Sequence, residues 1–253
     1  MNDYFALLTV RSSSTRLPRK CWLELGGMPV VEYVAQKCES NSITPIICTT
    51  STPADQEFEA YFKKSKVKVF RGDAKNKLKR WLECAQNLDL KDFHTLDVDD
   101  PLFDPNAVKE SLNLLRSKNL DVVGPTDASS KGAASVGYSI SNFFLKSHTK
   151  LISNALEIEM VDSFFKRIED IKFEALKLSR DELTNVRLTL DYLEDYQLIK
   201  KIIEVLGVNA NRTQIELYLR ENPKLIAINW FRNSEWQINQ NKIRNEESSL
   251  KNV

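Results

Sequence analysis

The chain has 253 residues, 42% of them apolar and 28% charged, the balance of an ordinary globular protein rather than a disordered or membrane one. A formal charge of +1, from 36 Lys and Arg against 35 Asp and Glu, leaves no broad basic field for a nucleic-acid backbone, so no nucleic-acid partner is expected. A chain this long builds one large α/β domain or two small ones around a self-sufficient core.

Tyr4 to Val10 is a short apolar run of strand length that passes at once into Arg11 and serines, without the unbroken apolar stretch of a signal peptide. Pro29 to Cys38 has helical character and opens on a proline, which suits a first turn. Pro45 to Cys48 reads as a second strand, after which Thr52-Pro53-Ala54-Asp55 has the pattern of a cap, a first-turn proline and an acid. Phe58, Tyr61 and Phe62 give that helix its apolar face. Val67 to Phe70 is a third strand, followed by a helix with Leu78, Trp81, Leu82 and Ala85 on one side. Phe93 to Val98 is a fourth strand, Asp104-Pro105 starts another helix, and Leu120 to Val123 supplies a fifth strand. This alternation predicts a parallel sheet with helices on both faces, whose ligands collect at the C-terminal ends of the strands.

From Gly124 to Gly137 the chain is rich in Gly, Ser, Ala and Lys, either a loop that folds over a substrate or a plain connector. Ser135 to Ile140 and Ile171 to Leu178 are predicted strands flanking a helical stretch from Asn154 to Arg167. Val186 to Leu190 is a further predicted strand, and Leu193, Tyr196, Ile199, Ile203 and Leu206 trace a helix face that ends at Gly207. A last helix is expected near Thr213 to Arg220. The polar tail from Ser234 to Val253 has no periodicity and reads as loosely packed or disordered.

Four cysteines, Cys21, Cys38, Cys48 and Cys84, show no metal-ligand spacing and read as free thiols of a reducing compartment. No segment approaches the ~20 apolar residues of a membrane helix, so no membrane partner is expected and the cytoplasm is the expected location.

Arg11, Arg16, Arg19 and Lys20 fall within ten residues after the first strand. Several cations and close-packed serines suit a polyphosphate, although a solvated basic loop has the same composition. Asp97, Asp99, Asp100 and Asp104 crowd the end of the fourth strand, with Asp97 and Asp99 expected on one face by alternation. One or two such carboxylates are what Mg²⁺ takes from a protein, the alternative being an acidic turn. Asp104 is better read as a helix cap. Asp191, between a predicted strand and a helix, is either a strand-end ligand or an N-cap. His94 and His148 have no neighbours arranged as a nucleophilic triad, and Trp22, Trp81, Trp230 and Trp236 read as packing residues.

Taken together, Val10-Arg11, Ser14-Thr15-Arg16-Leu17-Pro18, Lys20, Gly27-Met28-Pro29, Val98-Asp99-Asp100-Pro101-Leu102-Phe103-Asp104-Pro105 and Arg187-Leu188-Thr189-Leu190-Asp191-Tyr192-Leu193-Glu194-Asp195 form a recognisable series. It resembles the cytidylyltransferases that activate 3-deoxy-manno-octulosonate and the related spore-coat polysaccharide proteins. Cys48-Thr49-Thr50-Ser51 and Val69-Phe70-Arg71-Gly72 with Arg80 are similar to further segments of that family. The resemblance implies a Rossmann-like (GT-A-like) nucleotidyltransferase fold, a three-layer sandwich around a mostly parallel central sheet, and assembly as a homodimer. It implies transfer of CMP from CTP to a sugar acid with release of pyrophosphate. Arg11, Lys20 and Asp99 would be catalytic; Arg11, Ser14, Arg16, Lys20, Thr50, Ser51 and Arg80 would bind the nucleotide; and Asp99 and Asp191 would hold Mg²⁺. Residues 1–232 would form the transferase domain, with a nucleotide half at 1–125, an acceptor and dimerisation half at 126–190 and closing helices at 191–232, before a polar tail at 233–253. This chain departs from the family pattern at Arg19 and Val98, where glycine is usual, at Leu193 for proline, and at Glu159-Met160 for Glu-His. A phosphorylated or phosphonylated acceptor, and a non-catalytic nucleotide-binding homologue, are the alternative readings.

Overall fold

The computed structural model describes residues 4–249 apart from 128–131, 135, 156–157, 159, 178–182 and 184, and of 243–249 it describes the backbone alone. The expectations that fall on Ser135, Leu178 and Glu159 lie outside the described residues.

Strand β1 (Tyr4–Thr9) is buried on both faces, because its side chains alternate between two separate cores: Ala6 and Leu8 enter one, Leu7 the other. A loop and a small hairpin, β2 (Glu24–Leu25) and β3 (Met28–Pro29), lead to helix α1 (Val30–Ser40), which starts one residue after the proline expected to open it. β4 (Ile43–Thr50) then pairs parallel to β1. Helix α2 (Gln56–Phe62) follows a 3₁₀ turn at Pro53–Asp55, and Thr52 makes no side-chain cap there. β5 (Lys68–Gly72) adds parallel to β4, α3 (Lys77–Asn87) crosses back, and β6 (Asp92–Asp97) pairs parallel to the other edge of β1. Helix α4 (Pro105–Ser117) is capped as expected, Asp104 accepting from the Asn106 amide at 2.9 Å.

The remaining sheet is made of β7 (Val122–Gly124), β8 (Ser139–Ser141) and, after helices α5 (Asn142–Ser147), α6 (Thr149–Asn154) and α7 (Val161–Phe165), β9 (Phe173–Ala175). The order is β5-β4-β1-β6-β8-β7-β9, with β8 antiparallel to both its neighbours and every other pairing parallel. β8 approaches β6 through Gly137, at φ +74°, where a Cβ would lie 1.8 Å from the Thr95 carbonyl oxygen, so no larger residue fits. Helices α1, α2 and α4 cover one face together with α8 (Leu193–Leu206) and α9 (Arg212–Glu221), while α3 and α5 to α7 cover the other. This is the three-layer, mostly parallel architecture expected.

Three expectations are corrected. The helical stretch placed at Asn154 to Arg167 is instead three short helices, two of which precede Ala155. Val186 to Leu190 forms no strand, because its amides bond to loops rather than to a sheet: Leu188 donates to the Gly132 carbonyl at 2.8 Å and Leu190 to that of Asp99 at 2.6 Å. Of the polar tail, Ser234 to Ser249 belongs to a helix, α10 (Arg232–Ser249), and the expectation for 250–253 lies outside the described residues.

The order of the sheet fixes where a ligand crevice opens. From β1 the chain steps outward to β4 and β5, then returns to β6 on the opposite side of β1, so the loops leaving β1 and β6 part at a topological switch point.

Lys37 of α1 lies under the loop that leaves β6, 4% exposed, with Nζ 3.4 Å from the Pro101 carbonyl oxygen and 5.0 Å from the Phe103 ring centroid. Burial pushes its pKa down to about 8 against the opposing charge of Asp104. Below that value both folded and unfolded chains hold the proton and the burial cost is fully present; between it and the ordinary lysine value the unfolded chain binds more protons, so this group's contribution to stability rises with pH. Lys37→Met is therefore expected to stabilise the fold at neutral pH by on the order of 2 kcal/mol in urea unfolding, with the gain shrinking as the pH approaches about 10.

Candidate active site

The loop leaving β1 is pinned before it reaches its cations. Asp55, 1% exposed, accepts from the Ser12 amide at 2.8 Å and the Ser12 hydroxyl at 2.6 Å, and also from the Thr50 hydroxyl. These bonds tie the loop to the end of β4. Burial opposes the charge on Asp55, but the Ser12 and Thr50 donors outweigh it and hold the carboxyl below its ordinary pKa. Further on, Arg19 takes the left-handed conformation, φ 56° and ψ 29°, which turns the chain into the 3₁₀ segment Lys20–Trp22. That conformation is one glycine adopts without steric cost, and here an arginine takes it. Arg19 is held in it by a 3.0 Å pair to Glu57 and by the Trp22 ring, 5.8 Å away.

Lys20 points back across the switch point. Its Nζ lies 2.6 Å from Asp99 Oδ2 and 2.9 Å from Asp191 Oδ1, joining the loop after β1 to the turn after β6 and to the segment before α8. Arg16 reaches the same Asp191 oxygen at 2.7 Å. Arg187 approaches Asp191 Oδ2 at 3.4 Å and grips Asp195 through Nε at 2.9 Å and Nη2 at 3.1 Å. The Asp195 carboxylate also accepts from the Asp191 and Tyr192 amides at 2.9 Å each, which closes the entry to α8. Three carboxylates and three cations thus form one partly buried network.

Its electrostatics follow from that geometry. Burial alone would lower the Lys20 pKa, and the charges of Asp99 and Asp191 more than reverse it, so the ammonium stays protonated. Burial likewise works against charge on Asp191, but Lys20 and Arg16 hold its pKa down to about 2. Asp100, buried beside Asp99 and Asp97, is pushed well above the usual carboxylate range, first by desolvation and then by those like charges.

The sequence-derived candidates divide accordingly. Arg16, Lys20, Asp99 and Asp191 bond to one another. Arg11 is at the exposed start of the loop, its carbonyl accepting from the Cys21 thiol, and Ser14 Oγ accepts from the Leu17 amide at 3.4 Å. Thr50 is committed to Asp55, the Ser51 amide donates to the Gly72 carbonyl at 2.8 Å, and Arg80 is buried with Nη1 donating to the Asp73 carbonyl. Asp97 does not share a partner with Asp99: β6 ends at Asp97, so the alternation stops there, and Asp97 pairs with Lys77 at 3.1 Å. His94 is fully buried between Ser139 Oγ, at 2.8 Å, and the Val136 carbonyl, a packing role. Sequence reasoning missed the anchoring role of Asp55, which looks like a first-turn acid, and the Arg187–Asp195 pair, whose partners come together only through the turn between them.

Among the described residues no group of three or more His, Cys, Asp or Glu side chains forms a metal cluster. Asp99 and Asp191, both brought to one cationic nitrogen, are the two-carboxylate donor set that suits a hard divalent ion completed by substrate oxygens.

A family model described as cytidylyltransferase matches residues 5–224. A 3-deoxy-manno-octulosonate cytidylyltransferase of Leptothrix cholodnii is 31% identical over 122 residues, covering 46% of this chain and 44% of that protein, so the chain spans less than half of that relative. The spore coat polysaccharide biosynthesis protein SpsF of Bacillus subtilis is 24% identical over 236 residues, covering 88% of this chain and 96% of that protein. Among solved structures, a cytidylyltransferase from Leptospira borgpetersenii has a TM-score of 0.76 at 23% identity, covering 89% of this chain and 97% of its own. A CMP:2-keto-3-deoxy-manno-octonic acid synthetase complexed with CTP gives 0.61 at 14% identity, with 81% and 99% covered, a likeness of fold.

Asp55→Asn is expected to cost about 2 kcal/mol in urea unfolding at neutral pH through lost buried hydrogen bonds. Because the folded carboxyl has the lower pKa, its contribution is present above the unfolded value and is lost as the pH falls through the folded one; the gap between wild type and variant should close as the pH falls below the ordinary aspartate range.

Proposed function

The chain belongs to the cytidylyltransferase family, and from that membership we propose that it transfers CMP from CTP to a sugar acid, releasing pyrophosphate, with Mg²⁺ held by Asp99 and Asp191. The single observation that supports this most is the convergence of Lys20 on two carboxylates from separate loops at the switch point of the sheet. Such a site offers both cations for a polyphosphate and carboxylates for a metal, without a change of fold.

In this reading Arg11, Arg16 and Lys20 bind triphosphate oxygens, and Ser14, Thr50, Ser51 and Arg80 shape the loops around the nucleotide. As an acceptor hydroxyl oxygen bonds to the α-phosphorus, the bond from that phosphorus to the bridging oxygen breaks and pyrophosphate leaves with the electron pair; the hydroxyl proton passes to solvent. Lys20 and Arg16 neutralise charge growing on the leaving group, a contribution of position and electrostatics. Mg²⁺, when bound, polarises the phosphoryl oxygens as a Lewis acid. The loops themselves are held by Asp55 and Asp195, neither of which touches the reacting atoms.

The names of the relatives above support a sugar acid as acceptor, its CMP derivative serving surface polysaccharide synthesis; a cytoplasmic homodimer is part of the same reading. The four cysteines are free and buried, and no helix among the described residues is long and apolar enough to cross a membrane. In this reading the exposed side chains Phe143 and Phe231 offer apolar surface to a second copy. A phosphorylated or phosphonylated acceptor is a second reading, favoured by Met160 at the position where relatives often carry histidine.

Pyrophosphate release from CTP, measured against a panel of sugar acids and phosphorylated acceptors, tests the proposal and separates the two readings. Asp99→Asn and Asp191→Asn should each lower the rate by about 100-fold or more while leaving the fold intact. Full activity in both variants overturns the metal assignment, and failure of every nucleoside triphosphate to raise the melting temperature overturns the nucleotide site itself.

A further inference from the structure

The family match ends at residue 224, yet side chains beyond it reach the network around Asp191. Asn229, fully buried, donates through Nδ2 to the Arg187 carbonyl at 2.8 Å and to Asp195 Oδ1 at 2.9 Å. From α10, the Trp236 ring lies against the Arg187 guanidinium, 5.3 Å from Cζ to centroid, while Tyr192 lies 5.2 Å from the same carbon. Arg187 is 0% exposed, so every face of that cation is covered by protein. A buried guanidinium is tolerable only while its charge is paired and its π faces are met; Asp195 and Asp191 supply the pairing, Asn229 holds Asp195, and the Trp236 ring from beyond residue 224 lies with Tyr192 against the guanidinium.

We propose that the segment from Asn229 to Trp236 is a positioning clamp for the metal carboxylate: Trp236 and Asn229 fix Arg187 and Asp195, and these in turn fix the backbone and the outer oxygen of Asp191. The geometry separates this role from general packing. Arg187 spends Nε and Nη2 on Asp195 and shares Nη2 with Asp191 Oδ2, leaving Asp191 Oδ1 to face Lys20 and Arg16. Asp191 thus has one oxygen directed at the site and one held from behind. Its amide is held too, by Asp195. Removing the ring that covers Arg187 admits water to the guanidinium and frees the outer oxygen, so the inner one loses its aim. Partners that orient a ligating carboxylate from behind characteristically control how well the ligand holds its ion. The proposal rests on the cytidylyltransferase reading for the identity of the ligand, while the clamp itself is a property of the protein alone.

The test uses the full chain as wild type, Trp236→Ala, Trp236→Leu and Trp236→Phe, with Ile238→Ala, an exposed change on the same helix, as a control. Two measurements are made: the Mg²⁺ concentration giving half-maximal pyrophosphate release from CTP, and, without metal or nucleotide, amide hydrogen exchange at Asp191 and Tyr192. Trp236→Ala and Trp236→Leu should raise the half-maximal Mg²⁺ concentration about 10-fold or more and speed exchange at those two amides by a similar factor, with the β1 amides unchanged. Trp236→Phe should recover most of both, and Ile238→Ala should match wild type. If Trp236→Ala unfolds globally, Trp236→Leu, which keeps apolar volume without an aromatic face, decides by the same criteria. Wild-type exchange and an unshifted Mg²⁺ titration in Trp236→Leu overturn the clamp. Absence of pyrophosphate release from wild type overturns the reaction instead, and the exchange measurement then still decides whether the clamp exists.

Discussion

The site depends on one ammonium group shared between two carboxylates. Asp99 and Asp191 come from the turn after β6 and the segment before α8, and two carboxylates brought together in a partly buried place repel each other unless a cation stands between them. Lys20 supplies it at 2.6 and 2.9 Å. The arrangement is costly to desolvate and gains little as a stabilising device, because buried ion pairs seldom repay their lost hydration in full. Its value is positional: three separate chain segments are registered against one another at the one crevice the strand order opens.

Around that centre the protein spends further buried charge on holding backbone. Asp55 secures the loop that carries Arg16 and Lys20 through Ser12, and Asp195 secures the segment that carries Asp191 through its amide and that of Tyr192. Both carboxylates accept several hydrogen bonds each, which fixes them and the backbone they hold. Arg16 and Lys20, by contrast, sit on long stems and are 29% and 16% exposed. The backbone of the site is thus held by the buried Asp55 and Asp195, while Arg16 and Lys20 reach it on long stems, a division that suits capture of an anionic substrate.

Much of the fold is legible because the elements around β1 to β7 each carry their own signal: apolar strands of a few residues, and helices such as α3 whose Leu78, Trp81, Leu82 and Ala85 are all buried on one side. The Asp104 cap is equally local. The later elements are not legible for definite reasons. β8 and β9 are three residues each and owe their pairing to neighbours, and residues 186–190 satisfy their backbone through loops. α10 is largely polar, with no apolar stripe, and is held by Arg187, Glu194 and Tyr192, partners no periodicity announces. The site residues Arg16, Lys20, Asp99 and Asp191 are legible as motif members of one implied site, but the direct ion pairs of Lys20 to both carboxylates and of Arg16 to Asp191 are not. The departures from family pattern also resolve in physical terms. Arg19 keeps glycine's left-handed backbone, Val98 has no positive φ that would call for glycine, and Leu193 occupies the first position of α8, where proline is merely well suited.

The central claim is that the Lys20–Asp99–Asp191 centre is where a nucleoside triphosphate and its metal bind. A crystal structure with a non-hydrolysable CTP analogue and Mg²⁺ tests it most directly. The account predicts triphosphate oxygens within hydrogen-bond distance of Lys20 Nζ and Arg16, and a metal ion between Asp99 and Asp191. Nucleotide bound elsewhere, with Lys20 still bridging both carboxylates, would contradict it.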